Sequence, residues 1–449
     1  MIKYQLLSRI GYTMAGYPIQ RITSLLEESQ FWPRDCVEEL RNEKVRDLIQ
    51  ICYHGVPYYH RVMKSRGLTP SDFTTVADLP KLPVLTKDII RKNWLELQAK
   101  NIPDSRISTI RTSGTTGEPM VIRKNKWECV WERSSFVRGM SWGGLLPTMT
   151  SAKLFGGSLR GKHTKNWRDR IAAILRPRVL FLPAFELTQN NFMIYLDKIK
   201  RSRCRHLIGY SSAIYRLAIM AENAGESIEL EAVFPTAEML LDSWRKKIAD
   251  VLSCQVLPYY GCGEINSLGY SCPSGNGYHQ CDEHAVMEVE TNAGEYNFEG
   301  EGAFVITDLD NNATPLLRYQ NGDGGVLSKK PCSCGRSLSQ ICRIDGRVRD
   351  MLVAVNGNMI HGGLGSIIFQ HIEGVEFWQV VQDEPGQVLI RIVSNRQYNH
   401  AVSENRLSNL LRKYLGAEAK VEFEYPNDIE RTPAGKAKFV INRYLARKS

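Results

Sequence analysis

The pattern of hydrophobic residues changes along the 449-residue chain and predicts a mixed fold. Between about residues 20 and 100, apolar positions recur every three or four residues, as in Val45–Leu48–Ile49–Cys52, which is typical of amphipathic helices. Thr86 is placed to cap a second such helix. Helical and extended segments then alternate as far as residue 265, and short strands with glycine and asparagine turns follow over 284–328.

The pattern changes again after Asp345-Gly346-Arg347. Asn356-Gly357-Asn358 is typical of a tight hairpin turn, and Ser403–Leu415 predicts an amphipathic helix. Predicted strands in this part are Met351–Ala354, Phe377–Gln382 and Val388–Val393. We therefore expect an α/β protein with a large domain over residues 1–345 and a small, mobile α+β domain over residues 346–449.

Composition and charge narrow the choice of partners. Hydrophobic residues make up 43% of the chain and charged residues 24%, which is ordinary for a globular protein. The formal charge of +10 favours anionic partners, such as nucleotides, coenzyme A, nucleic acid or an acidic membrane, without choosing among them. No apolar run reaches the roughly 18 residues of a membrane span. The N-terminus lacks the order of a signal peptide, so we expect a cytoplasmic protein.

The most informative stretch is Thr112-Ser113-Gly114-Thr115-Thr116-Gly117-Glu118-Pro119. Its glycines allow unusual backbone geometry, and its hydroxyl and N–H groups can donate to phosphate oxygens. Strand-like runs lie on both sides, whereas a Walker-type loop needs a Gly-Lys-Ser/Thr ending that leads into a helix. The stretch therefore predicts a phosphate-binding loop outside the P-loop class.

Three further motifs and a lysine-bearing ending follow in order along the chain. They are Tyr259-Tyr260-Gly261-Cys262-Gly263-Glu264, Leu317-Arg318-Tyr319-Gln320-Asn321-Gly322-Asp323, Gly346-Arg347-Val348-Arg349-Asp350 and Arg431-Thr432-Pro433-Ala434-Gly435-Lys436. Each alone is a weak signal, because aromatic, glycine and acidic residues are common at strand ends. Their order after the phosphate-binding loop makes the set specific.

Together these motifs resemble those of the adenylate-forming superfamily. The match is specific to the phenylacetate–CoA ligase-like family and, within it, to the branch of capsular polysaccharide biosynthesis proteins. The resemblance runs nearly end to end, from Glu43–Tyr59 through Leu79–Asp88 to the lysine ending. It implies a large N-terminal adenylate-forming domain of sheets packed with helices, joined to a small mobile C-terminal domain.

The resemblance also implies roles for individual residues. Thr112 to Gly117 would hold the ATP phosphates, with Thr115 taking part in catalysis. The remaining roles are Tyr260 against the adenine, Glu264 on Mg²⁺, Asp323 on the ribose hydroxyls, Arg347 on the ribose or phosphates, and Lys436 as the catalytic lysine. Arg349 departs from the family pattern, which has aspartate at this hinge position.

A second group of residues has the chemistry of a metal site. Cys272, His279, Cys332 and Cys334 offer three thiolates and an imidazole, which suit tetrahedral Zn²⁺. Some members of the family have a similar pattern, so we expect a structural zinc ion. Cys281 competes with His279 as the fourth ligand, and the alternative is a set of buried thiols without a metal.

The expected activity is that of an AMP-forming ligase. It would activate a carboxylic acid with ATP and Mg²⁺, release pyrophosphate, and transfer the acyl group to coenzyme A or an amine. An acceptor channel is expected at Asn356-Gly357-Asn358, and acid-pocket candidates are Phe155–Ser158, Gly209–Ser212 and Pro235–Glu238. Two alternatives remain: an adenylyltransferase with a stable AMP product, and a non-catalytic nucleotide-binding scaffold in polysaccharide biosynthesis. Nucleic-acid binding ranks last, since no recognised motif accompanies the charge.

Overall fold

A computed structural model describes most of the chain. The described residues are 19–103, 106–111, 120–156, 179–275, 277–291, 293–347, 351–360, 368–369, 372–431 and 436–448. Several sequence-based predictions lie outside them, including the phosphate-binding loop 112–119 and Arg349 at the predicted hinge.

The helices are concentrated in the first half of the chain. They are α1 (Ile19–Ser29), α2 (Arg34–Gly55), α3 (Pro57–Ser65), α4 (Lys87–Lys92), α5 (Lys126–Ser141), α6 (Gln189–Arg201), α7 (Ser211–Asn223), α8 (Asp242–Leu252), α9 (His400–Leu415) and α10 (Arg443–Lys448). The Thr86 side chain accepts a hydrogen bond from the Ile89 N–H, which confirms the predicted cap of α4. Asn125 caps α5 and Asn399 caps α9 in the same way.

A five-stranded parallel sheet forms the first layer of the fold. Its order is β4 (Val179–Pro183), β3 (Ser151–Phe155), β5 (His206–Tyr210), β6 (Ala232–Thr236) and β7 (Gln255–Val256). Helix α7 packs on β3, β5 and β6, while the segment after α5 contacts the opposite face through His206 and Phe234. Both faces are thus covered, and every residue of β5 and β6 is buried.

An eight-stranded sheet forms the second layer and carries most of the predicted nucleotide site. Its order is β12 (Tyr296–Asn297), β11 (Ala285–Glu290), β13 (Gly300–Asp308), β14 (Tyr319–Ser328), β15 (Gln340–Arg347), β10 (Tyr278–Gln280), β9 (Gly269–Tyr270) and β8 (Tyr259–Tyr260). Apolar side chains from α2, α3 and this sheet share one core. A separate hairpin of β1 (Ile107–Arg111) and β2 (Val121–Asn125) flanks the predicted phosphate-binding loop.

The C-terminal part has its own sheet. Its order is β20 (Lys420–Glu424), β19 (Gln387–Ser394), β18 (Val375–Glu384) and β21 (Val440–Asn442), preceded by a small hairpin of β16 (Leu352–Val353) and β17 (Met359–Ile360). Helix α9 contacts β20. The expectation of a mixed α/β fold with a small C-terminal domain is confirmed, whereas the exact boundary at residue 346 stays a prediction.

Aromatic side chains join the C-terminal sheet to the helices of the parallel sheet. The Trp244 ring of α8 stacks on Tyr215 of α7 with centroids 4.7 Å apart, and Phe377 of β18 packs edge-on against both rings. Phe439 lies 5.5 Å from Trp244. Because Trp244 is only 2% exposed, this contact buries a large apolar area between the two parts.

Gly139 in α5 is required by a close approach to β9. A Cβ atom at this position would lie 2.2 Å from ring carbons of Tyr270, whose side chain is buried. Glycine is therefore retained in a helix interior, although alanine favours the helical state by about 1 kcal/mol.

We predict that Gly139→Ala lowers the thermal midpoint of unfolding, because the ring of Tyr270 must shift to admit the methyl group, at a cost of about 1–3 kcal/mol. The matched control is Gly55→Ala at the end of α2, where the nearest atom to a new Cβ lies 3.9 Å away. Differential scanning fluorimetry of both variants checks the prediction. A Gly139→Ala protein at least as stable as the Gly55→Ala control would contradict the packing described.

Candidate active site and metal cluster

Tyr260, at the end of β8, contacts Asp323 of β14. Strand β8 lies next to β6 of the parallel sheet. The Tyr260 hydroxyl donates to Asp323 Oδ2 at 2.8 Å, and Asn321 Nδ2 donates to the same carboxylate oxygen and to the Tyr260 oxygen, each at 2.8 Å. Burial and, second, the Asp323 charge hold the pKa of Tyr260 well above its usual range, so this hydroxyl remains a donor. The two residues predicted to contact adenosine are therefore brought together.

Asn321 is a member of this site that the sequence analysis did not single out. It lies two residues before Asp323, and its Oδ1 accepts the Asp323 N–H at 3.0 Å. The intervening Gly322 has φ of 92°, which favours glycine. The only signal in the sequence is the Asn-Gly-Asp turn itself, which is common outside binding sites.

Glu264 is buried in the loop after β8. Its charge acts on the Tyr319 hydroxyl, whose pKa is raised first by burial and then by Glu264, with a smaller contribution from Asp323. Glu264, Tyr319 and Asp323 therefore share one electrostatic environment. A carboxylate there has the hard oxygen atoms that Mg²⁺ prefers, and its role on the metal remains a prediction.

One predicted nucleotide contact, Arg347, can be placed only in part, and the phosphate-binding loop cannot be placed. The backbone of Arg347 pairs with Asp323 across β14 and β15, which brings it to the same strand end, while its side chain is outside the described structure. The loop residues Thr112, Ser113, Gly114, Thr115, Thr116 and Gly117 are outside it as well, so their roles remain predictions.

Lys436 lies at the carboxyl end of the parallel sheet. Its Nζ is 5.5 Å from the centroid of the Tyr210 ring, at the end of β5. The Ala437 N–H donates to Glu238 Oε1 at 2.6 Å, and the Ser212 N–H donates to Glu238 Oε2 at 2.8 Å. Glu238 thus ties the lysine-bearing segment to the strand ends, which is the edge where ligands bind in open parallel sheets.

Polar contacts around Arg431 add to this tie. Arg431 contacts Ser212 Oγ at 3.4 Å and the Asp428 carboxylate at 3.2 Å. Asp428 also accepts a hydrogen bond from Arg216 of α7 at 2.7 Å. The lysine-bearing segment is therefore fixed at several points on the large domain, and sequence reasoning assigned none of these roles.

The lysine end and the Tyr260 end of the site are adjacent. Tyr210 pairs with Thr236 in the sheet, and Thr236 Oγ1 donates to the carbonyl of Tyr259 at 3.0 Å. The Phe155 ring stands edge-on to Tyr210, with centroids 5.1 Å apart. Of the acid-pocket candidates, Phe155, Tyr210 and Thr236 thus lie together, while residues 157 and 158 are outside the described structure.

The four predicted zinc ligands converge in space: Cys272 follows β9, His279 is in β10, and Cys332 and Cys334 follow β14. Their ligand atoms all lie within 4.8 Å of one another. The sulfur atoms of Cys272 and Cys332 are 3.8 Å apart, and Cys334 Sγ is 3.3 Å from His279 Nε2. Zn–S bonds of about 2.3 Å in a tetrahedron separate two sulfurs by about 3.8 Å, so the donor set fits zinc.

Local electrostatics are consistent with that donor set. Burial and, second, the Arg336 charge lower the pKa of His279 to about 4, which keeps its imidazole neutral. Burial opposes the Cys334 thiolate, yet hydrogen bonds from Arg336 lower the pKa of this thiol overall. Cys281 is outside the cluster and lies beside Arg138, where burial raises its pKa to about 12. Among the described residues, the geometry favours His279 as the fourth ligand.

The fold is that of the adenylate-forming ligases. A solved structure of 2-hydroxyisobutyryl-CoA ligase, in the postadenylation state in complex with R3-HIB-AMP, matches with a TM-score of 0.74 at 19% identity over 94% of each chain. Residues 352–443 match the family model of the CapK C-terminal domain. Among the described helices, none has both the length and the apolar character needed to cross a bilayer.

Whole-chain relatives agree with that class. The chain is 26% identical to Protein CapK of Staphylococcus aureus, covering 94% of this chain and 93% of that protein. It is 24% identical to the phenylacetate-coenzyme A ligase of Thermus thermophilus, covering 92% and 98%. The resemblance indicated by the sequence motifs is thereby confirmed.

We predict that Cys332→Ser lowers zinc content and thermal stability together, because it would remove one of the four proposed ligands of the metal. Metal analysis of the purified protein and a thermal melt test this. The matched control is Cys36→Ser, which changes an exposed thiol of α2 far along the chain from the cluster. A wild-type protein without zinc would refute the metal site.

Proposed function

We propose that this chain activates a carboxylic acid with ATP, forming an acyl-AMP and pyrophosphate, and then transfers the acyl group to coenzyme A or an amine. The relatives named as coenzyme A ligases support the reaction class. The observation that carries the proposal is the position of Lys436 over Tyr210, one strand from the Tyr260–Asp323 pair.

ATP would span the junction of the two sheets. Asp323 offers a carboxylate oxygen to the ribose hydroxyls, and Tyr260 and Asn321 hold that carboxylate in place. The chain between β1 and β2 would hold the phosphates, since hydroxyl and backbone N–H donors suit phosphate oxygens. Mg²⁺ bound at Glu264 would neutralise charge on the phosphates.

In the first step, a carboxylate oxygen of the acid forms a bond to the α-phosphorus while the bond from that phosphorus to the pyrophosphate oxygen breaks. Little covalent chemistry is required of the protein, so positioning and charge stabilisation do most of the work. The Lys436 ammonium would sit between the carboxylate and the α-phosphate and stabilise the charge that develops there.

In the second step, the nucleophile of the acceptor attacks the acyl carbon and AMP leaves. A thiol would give a thioester and an amine would give an amide. Asn356-Gly357-Asn358, the turn between β16 and β17, is the proposed wall of the acceptor channel. Zinc at the Cys272–Cys334 cluster would be structural, since all four positions of a tetrahedral ion are taken by protein atoms.

The experiment is pyrophosphate release with ATP, Mg²⁺ and a panel of aryl, fatty and amino acids, with hydroxylamine present to trap acyl-AMP as the hydroxamate. A hydroxamate formed only with one class of acid is the expected result. Pyrophosphate release without a hydroxamate, and with a stable AMP adduct found by mass spectrometry, would instead indicate an adenylyltransferase. Tight ATP binding with no release for any substrate would indicate a scaffold.

We predict that Lys436→Ala lowers the rate of acid-dependent pyrophosphate release by about 10²–10³-fold, the usual loss when one donor to a developing charge is removed. ATP affinity should change little, because Asp323 and the phosphate-binding loop would remain. The measurement is single-turnover release together with ATP binding by calorimetry.

The matched control for this variant is Lys438→Ala, two residues further on. Its ammonium is paired with Glu430 at 2.6 Å and takes no part in the proposed site. Equal activity of wild type and Lys436→Ala would remove Lys436 from the mechanism.

A further inference from the structure

Two cations lie on the proposed acid pocket without an acidic partner in the described part of the chain. They are Lys153 of β3 and Arg133 of α5, both half-buried, and no described carboxylate is within salt-bridge distance of either. The fully buried Arg138, five residues after Arg133 in α5, is by contrast paired with Glu283 at 2.6 Å. Taking two cations partly out of water without a counter-charge costs free energy, which a bound anion would offset.

The side chain of Lys153 shares a face of the parallel sheet with the reaction end of the site. Residues two apart on a strand point to the same side, so Lys153 and Phe155 are neighbours on that face. Lys153 pairs with Ile208, which puts Tyr210 on the same face. Lys436 lies over the Tyr210 ring, and Lys153 is level with Ile208, two residues before Tyr210. The backbone of Lys153 is therefore about 7 Å along the strand direction from the end of the pocket that bears Lys436.

Helix α5 runs across that face and brings Arg133 toward the same space. Gly143, just after the carboxyl end of α5, contacts the amino end of β5, where its carbonyl is 3.1 Å from His206 Nε2. Nearer the amino end of the helix, the Phe136 ring stands edge-on to the Tyr259 ring, with centroids 5.9 Å apart. Arg133 is one turn beyond Phe136, and its guanidinium lies 5.4 Å from that ring. The helix therefore places Arg133 near the carboxyl ends of the strands.

The positive charges of Lys153 and Arg133 interact electrostatically. Burial and, second, the positive charge of Arg133 lower the pKa of the Lys153 ammonium. Like charges on a strand and on the helix that covers it repel in a partly desolvated region, and an anion between them would relieve both the repulsion and the desolvation.

Resting on the proposed function, we propose that the acid activated by this chain carries a second anionic group, a carboxylate or a phosphate, bound by Lys153 and Arg133 in the space between β3 and α5. The reacting carboxylate would lie beside Lys436 and Tyr210, with the second anion between β3 and α5. Neutral aryl and fatty acids would leave the two cations unpaired and would be poorer substrates.

The test compares matched acids in the hydroxamate assay. Adipate is set against hexanoate, and 4-carboxyphenylacetate and 4-(phosphonooxy)phenylacetate are set against phenylacetate. We expect kcat/KM to be about tenfold or more higher for the acids with a second anion, the usual value of a charge-assisted hydrogen bond. The 4-carboxyphenylacetate and 4-(phosphonooxy)phenylacetate arms distinguish the two sources of charge.

The variant is Lys153→Met, which keeps the length and apolar stem of the side chain without its charge. It should remove most of the preference, by about tenfold, while changing the KM for ATP and the rate with neutral acids little. The matched control is Lys246→Met on the exposed side of α8, which should keep the wild-type preference. Arg133→Gln should reduce the preference in the same direction and serves if Lys153→Met fails to fold.

Four outcomes would overturn the inference. A wild-type enzyme that prefers neutral acids, or a preference unchanged in both variants, refutes the substrate class but leaves the proposed function standing. If the two variants raise the KM for ATP and leave the KM for the acid unchanged, the two cations belong to the nucleotide site. An enzyme that activates neither kind of acid removes the proposed function and this inference together.

Discussion

Both oxygens of the Glu238 carboxylate accept backbone N–H groups from distant parts of the chain, Ser212 and Ala437. This contact fixes the segment that carries Lys436 at the carboxyl ends of β5 and β6, and the rest of the proposed chemistry depends on it. Burial raises the pKa of Glu238, with the N–H donors acting in the opposite direction. The packing of Trp244 against Phe377 and Phe439 adds an apolar contact to the same arrangement.

The junction of two sheets explains how one site can hold both substrates. The parallel sheet contributes Tyr210 and the face that bears Phe155, while the neighbouring sheet contributes Tyr260 and Asp323. The Thr236 hydrogen bond to the Tyr259 carbonyl joins the two edges. The residues proposed to bind the nucleotide and those proposed to bind the acid are thus held by separate sheets.

The sequence predicted features that are encoded locally, and missed those that need tertiary proximity. The Thr86 cap and the helix after Ser403 follow from short-range patterns, and the α/β class followed from the order of elements. The hydrogen bond between Asn321 and Tyr260 and the contact of Glu238 with Ala437 join residues far apart in the chain. Periodicity carries no information on such contacts. Likewise, only geometry separates His279 from Cys281 as the fourth ligand of the metal cluster.

The central claim is that a carboxylate oxygen of the substrate becomes bonded to the α-phosphorus of ATP. The most direct measurement uses an acid labelled with ¹⁸O in its carboxylate, the acid being the one that gives the most pyrophosphate in the panel, with mass spectrometry of the AMP formed after acyl transfer. The account predicts one ¹⁸O atom in AMP, because the bridging oxygen of acyl-AMP leaves with the nucleotide. AMP without label, formed while the acid is consumed, would contradict it.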